Sequence, residues 1–161
     1  MNDAQTPPQL AHATFTVTRA YPQSPARVFA AQADISIKRR WFAEDDGFIL
    51  HHYALDFRVD GRETARFSPE GEGAPEILME AVCQDIVPDR RIVAAYRMSA
   101  GPYPISASLY TIEIVPEGKG SRLTYTEQGV YFGGAGEIAG REEGSRGLLE
   151  RLAQVLDEAD G

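Results

Sequence analysis

Between residues 48 and 128 the apolar side chains return at nearly every second position, and only beyond Arg141 does the spacing become helical. This order constrains the fold most. Strands in an unbroken run pair as antiparallel neighbours, and a single terminal helix has one sheet to lie on. In the segment 106–115, Ser108, Tyr110, Ile112 and Ile114 share one face, with Thr111 and Glu113 on the other. In 77–87, Ile77, Met79, Ala81 and Cys83 fall in phase; in 122–128, Leu123, Tyr125 and Glu127 do. Further strands are expected at 14–21, 48–59, 62–67 and 91–99. Asp60-Gly61, Pro88-Asp89-Arg90, Gly101-Pro102-Tyr103-Pro104 and Glu117-Gly118-Lys119-Gly120 punctuate them, and 68–75 reads as a loop. After the first strand, Ser24 is a natural N-cap and Pro25 fits the first helical position. Asp34 caps a second short helix through Trp41 and Phe42. Residues 129–140, rich in glycine, read as a mobile connection. Leu148, Leu149, Leu152, Val155 and Leu156 then form one helical stripe. The expected class is α+β, in the order β-α-α-β6-α, with an antiparallel sheet of six to seven strands.

The 161 residues suit one domain, expected over 13–161, with residues 1–12 as a flexible polar tail. The formal net charge of −8 argues against partners that need clustered cations, so neither a nucleic-acid backbone nor an anionic membrane surface is expected. No apolar run is long enough for a membrane span, and the first residues lack the regions of a signal peptide. The expected location is the cytoplasm. The single cysteine, Cys83, is expected to be a small core residue. No metal site is expected: His12 lies in the tail, and His51 and His52, adjacent in a strand, point to opposite faces. No nucleophile elbow, phosphate loop or dinucleotide fingerprint occurs, so no cofactor is expected.

Several segments together resemble a known family. They are Tyr21-Pro22-x-Ser24-Pro25-Ala26-Arg27-Val28-Phe29, Arg40-Trp41-Phe42, and Leu55-Asp56-Phe57-Arg58-Val59-Asp60-Gly61-Arg62. They continue with Asp85-Ile86-Val87-Pro88-Asp89-x-Arg91-Ile92-Val93, Ser121 through Gly129 (SRLTYTEQG), and Arg141-Glu142-x-Gly144-Ser145. In order and spacing the chain resembles the SRPBCC, or START-like, superfamily. Within it, the chain resembles bacterial homologues of the C-terminal domain of the activator of heat-shock protein 90 ATPase. Many members carry Trp after the helix glycine; here Ser145 follows Gly144. The resemblance implies a helix-grip fold, a curved sheet around the long C-terminal helix with a cavity between them. It also implies a small hydrophobic or aromatic ligand. Some superfamily members are cyclases or aromatases, and eukaryotic relatives stimulate the chaperone's ATPase.

Given that cavity, the strand phases nominate its lining: Trp41, Phe42, Tyr53, Phe57, Phe67 and Met79, then Tyr96, Met98, Tyr110 and Tyr125. Leu148 and Leu152 face it from the helix. The tyrosines add hydroxyl handles to an apolar pocket. Glu127, in phase with Tyr125, either orients a polar ligand group, acts as a general acid, or pairs with an arginine of a neighbouring strand. His51 is a second polar candidate or a solvent-facing imidazole. Asp56, Arg58, Arg62, Glu63 and Arg66 read as a cross-strand charge ladder around the hairpin. Ligand binding is the leading expectation. An enzyme of the cyclase, dehydratase or hydrolase type in the same cavity and a chaperone-linked interaction module are the alternatives. Both a monomer and a homodimer fit the sequence.

Overall fold

The structure, a computed structural model, describes residues 9–160. Strand β1 (Ala11–Tyr21) leads into helix α1 (Pro25–Ala33) and helix α2 (Ile35–Lys38), which continues as a π-helical turn over Arg39–Ala43. Six strands follow: β2 (Phe48–Leu55), β3 (Arg62–Pro69), β4 (Ile77–Val87), β5 (Arg91–Ala100), β6 (Tyr103–Glu117) and β7 (Gly120–Tyr131). Helix α3 (Gly136–Asp160) ends the chain. Every strand pair is antiparallel, in the spatial order β1-β7-β6-β5-β4-β3-β2. The sheet curves around α3 as a helix-grip α+β fold.

The caps act as the sequence suggests. Ser24 Oγ accepts from the Arg27 amide, and Asp34 accepts from the Ser36 amide. The core lies between α3 and the concave face of the sheet. Val28, Leu123 and Leu152 are fully buried there, with Leu149, Ala153, Val155 and Leu156 along the same helical stripe. Burying a side chain such as Leu152 contributes about 1.5–3 kcal/mol. Tyr21 donates to the Leu149 carbonyl at 2.9 Å, and the Trp41 indole donates to the Ala31 carbonyl at 2.9 Å. These bonds tie β1 to α3 and the π-helical turn to α1. A second cluster, Tyr53, Ala65, Met79 and Ala81, fills the sheet's other end.

Several boundaries differ from the sequence reading. Strand β1 starts at Ala11, inside the expected tail, because β7 runs on to Tyr131 and supplies ladder partners as far as Ala11. His12 therefore sits in β1 opposite Val130; residues 1–8 of that tail lie outside the described residues. The same extension of β7, with α3 starting at Gly136, shrinks the expected mobile connection to residues 132–135. Strand β2 stops at Leu55, and the chain turns through residues 56–61, with the Asp60 amide bonded to the Cys83 carbonyl.

Candidate functional site

A pocket of about 600 Å³ opens between the concave sheet face, the π-helical turn and the N-terminal half of α3. The period-two pattern builds its wall. Tyr96 stands on β5 between two small cross-strand neighbours, Ala81 and Ser108, and Tyr110 on β6 stands opposite Ala94. Small residues beside large ones leave the rings standing free above the sheet. Tyr96 and Tyr110 have ring centroids 5.7 Å apart; Tyr110 and Tyr125 stack at 5.8 Å. Met79 and Met98, paired across β4 and β5, continue the wall toward Phe67. Trp41 and Phe42, in edge contact at 5.8 Å, close it from the π-helical turn. On the helix side the wall is Leu148 and Ser145 with Gly140 and Gly144. A Cβ at either glycine would meet nothing within 4 Å, so α3 leaves open space there.

Two buried carboxylates anchor opposite ends of this wall. Glu127 is fully buried. Its Oε1 accepts from the Tyr96 hydroxyl and, at 2.7 Å, from Tyr125. Its Oε2 accepts from Tyr131 at 2.6 Å, Ser108 at 3.4 Å and the Arg141 guanidinium at 3.3 Å. Arg141 reaches over from α3, donating also to Tyr96 at 2.8 Å and Ser106 at 2.9 Å. Gly129 permits this crowding: a Cβ there would lie 2.4 Å from Ser108 Oγ. Burial pushes the Tyr96, Tyr125 and Tyr131 phenols up, and the neighbouring Glu127 charge pushes them further. Burial works against the Arg141 charge, but Tyr96 and Glu127 outweigh it and raise the guanidinium's pKa. The phenols therefore stay protonated as donors, and all the charge of this cluster lies in one ion pair.

At the other end Glu63 binds Lys38 at 2.7 and 3.0 Å and accepts from the Tyr53 hydroxyl at 2.5 Å. Lys38 Nζ also lies 4.7 Å from the Phe42 ring centre. Burial first, then the Glu63 charge, pushes the Tyr53 phenol up. A third lining cation, Arg151, is bound by Asp45 at 2.6 Å. The pocket is thus aromatic, and its cations are each matched by a carboxylate. Among the described residues no group of three or more His, Cys, Asp or Glu side chains could hold a metal ion.

The family described as "Activator of Hsp90 ATPase homolog 1-like protein" matches residues 22–157. The chain belongs to this family. It is 55% identical to the Mll3558 protein of Rhizobium loti, with 91% of this chain and 99% of that one covered at a TM-score of 0.83. It is 33% identical to an uncharacterised Rhizobium leguminosarum protein, covering 93% and 97% at a TM-score of 0.87. The CV1439 protein of Chromobacterium violaceum, at 22% identity, 89% and 96% coverage and a TM-score of 0.74, shares the fold. Among curated proteins none matches this sequence.

Of the residues nominated from the sequence, Trp41, Phe42, Met79 and Tyr96 line the pocket. Met98, Tyr110, Tyr125, Phe67 and Leu148 line it too. Tyr53, Phe57, Glu127 and Leu152 do not form its wall. Tyr53 and Glu127 hold wall residues from behind, Phe57 packs edge-on against Phe29 at 5.7 Å, and Leu152 is core. Glu127 pairs with an arginine from the helix rather than from a strand. His51 is exposed, with its Nε2 2.7 Å from Ser68 Oγ. A bulge between Leu50 and His52 breaks the phase that would have aligned it with Tyr53, and leaves His52 exposed as well. The expected cross-strand charge ladder does not form: Asp56 and Arg58 lie in the turn and bind each other at 2.8 Å, Arg66 binds Glu76 at 3.1 Å, and alternation along β3 turns Glu63 inward to Lys38. Lys38, Arg141 and Gln32 escaped the sequence reading. A lysine closing a four-residue helix and an arginine among helix glycines carry no local mark of burial. Among the described residues no helix is long and apolar enough to cross a membrane.

Proposed function

We propose that this protein binds a small, neutral, hydrophobic or aromatic molecule in the pocket under α3, in the cytoplasm. The observation that carries this reading is an aromatic recess of about 600 Å³ whose lining cations are each matched by a carboxylate. A recess of that size suits a drug-sized ligand, and a neutral one avoids desolvating a charge that has no free counterion. Glu127 favours binding over acid–base chemistry of its own, because five donors already occupy its two oxygens. A thermal-shift screen of neutral aromatic and aliphatic molecules tests the reading. A ligand at 100 times its Kd adds about 2.7 kcal/mol. For a chain of this size that raises Tm by about 5–10 °C. A flat screen across chemical classes, with the pocket filled by side chains in a crystal structure, would contradict it.

A second reading, catalysis in the same pocket, rests on Tyr96. Tyr96 lines the recess, and its hydroxyl donates to Glu127 and accepts from Arg141. Turnover of any bound compound that survives Tyr96→Phe would remove it.

A further inference from the structure

Gln32 is the one lining side chain with buried hydrogen-bonding atoms that have no partner among the described residues. It sits on α1, 1% exposed, and neither its amide nitrogen nor its amide oxygen is hydrogen-bonded. A buried carboxamide normally has its donors and acceptor matched. Gln32 borders the main pocket and also a void of about 20 Å³ beside it. Lys38, Glu63, Tyr110 and Ile112 border both spaces, which places Gln32 at the Lys38–Glu63 end of the recess. Lys38 and Glu63 are committed to each other there, which leaves the Gln32 carboxamide, beside the Tyr110 hydroxyl, as the buried unmatched group at that end. Three rotatable side-chain bonds let its amide turn into the main pocket when a partner arrives.

We propose that Gln32 is the specificity-determining residue of the pocket. Its ligand presents a hydrogen-bond donor beside an acceptor, as the edge of a lactam or cis amide does, on an otherwise apolar aromatic body. This rests on the pocket being the binding site. The carboxamide offers one N–H and one oxygen side by side, and a lactam edge offers the reverse pair, so two bonds form at once. A carboxylate ligand fits worse: it brings two acceptors and no donor, and the lining cations Lys38, Arg141 and Arg151 are already bound to Glu63, Glu127 and Asp45. The remaining lining acid, Glu137, is exposed in the first turn of α3.

Three probes of matched shape test this by titration: phenanthridinone, its N-methyl derivative, and phenanthrene. The intact protein should bind phenanthridinone about tenfold or more tightly than the N-methyl compound, the value of about one lost buried hydrogen bond. In Gln32→Leu the phenanthridinone-to-phenanthrene affinity ratio should fall by about tenfold or more, while Tm stays or rises, because two unmatched polar atoms are gone. Equal affinity of the intact protein for phenanthridinone and its N-methyl derivative overturns the proposal while leaving the pocket reading in place. So does a preference that survives Gln32→Leu. Absence of binding by all three overturns both. If Gln32→Leu fails to fold, the comparison on the intact protein decides alone.

Discussion

The glycines of α3 give the sharpest stability prediction. Gly140 and Gly144 lie inside a helix, are exposed, and face open space where each Cβ would go. Glycine in a helix interior is about 0.8–1.0 kcal/mol less favourable than alanine, chiefly through the freedom it loses on folding. No neighbouring atom offsets that gain, so Gly140→Ala and Gly144→Ala together should stabilise the chain by about 2 kcal/mol. The two sites are one turn apart and new methyl groups there can touch each other, so the sum need not be strictly additive. At this chain length the gain raises Tm by about 4–8 °C. Calorimetry on the single and double variants measures it, and urea titration should show a raised midpoint at unchanged slope. An unchanged or lowered Tm would refute the reasoning. It would mean that α3 closes on the sheet tightly enough for these glycines to be needed for contact.

Three further outcomes follow from the buried charges. Glu127→Leu leaves the Arg141 charge and four hydroxyl groups without their shared acceptor; chemical denaturation should show a loss of about 3–5 kcal/mol or no folded protein. Lys38→Met should cost about 3–5 kcal/mol by stranding Glu63, whereas Lys38→Met with Glu63→Leu should recover most of that loss, and denaturation of the four chains of this double-mutant cycle measures the difference. The phenols of Tyr21, Tyr53, Tyr96, Tyr110, Tyr125 and Tyr131 are all raised above their ordinary 10.0, with burial the first cause. Their contribution to stability is whole below pH 10 and is lost as the pH climbs from there through the folded-state values. With the exposed Tyr103 set aside, absorbance at the phenolate band should therefore rise together with the loss of circular dichroism, and more than one phenolate forming in a still-folded chain would contradict the burial.

The fold was legible because alternation is a local signal that the sheet obeys. Ser108, Tyr110, Ile112 and Ile114 share a face in the sequence and share it in β6. The caps at Ser24 and Asp34 likewise act through bonds a few residues away. The element ends were less legible, since Ala11 and Tyr131 are ordered by each other across the ladder rather than by their neighbours in the chain. The aromatic wall could be read from phase, but which rings reach the recess depends on small residues opposite them, such as Ala81 and Ala94. His51 was displaced by a bulge, which period-two counting does not register. The polar ends were hidden for a different reason. Lys38 and Glu63 are 25 residues apart and Glu127 and Arg141 are 14 apart, and burial of each depends on the other. Charge in a sequence reads as surface until the partner is known.

The most direct measurement follows the methyl signals of the intact protein by NMR during titration with phenanthrene. The methyl groups of Met79, Met98 and Leu148 line the recess, whereas Leu109 and Val130 border a shallow open groove on β6 and β7 beside His12. Saturable shifts confined to Met79, Met98 and Leu148 are the predicted result. Shifts at Leu109 and Val130 instead, or no saturable shift at any of them, would contradict a ligand pocket under α3.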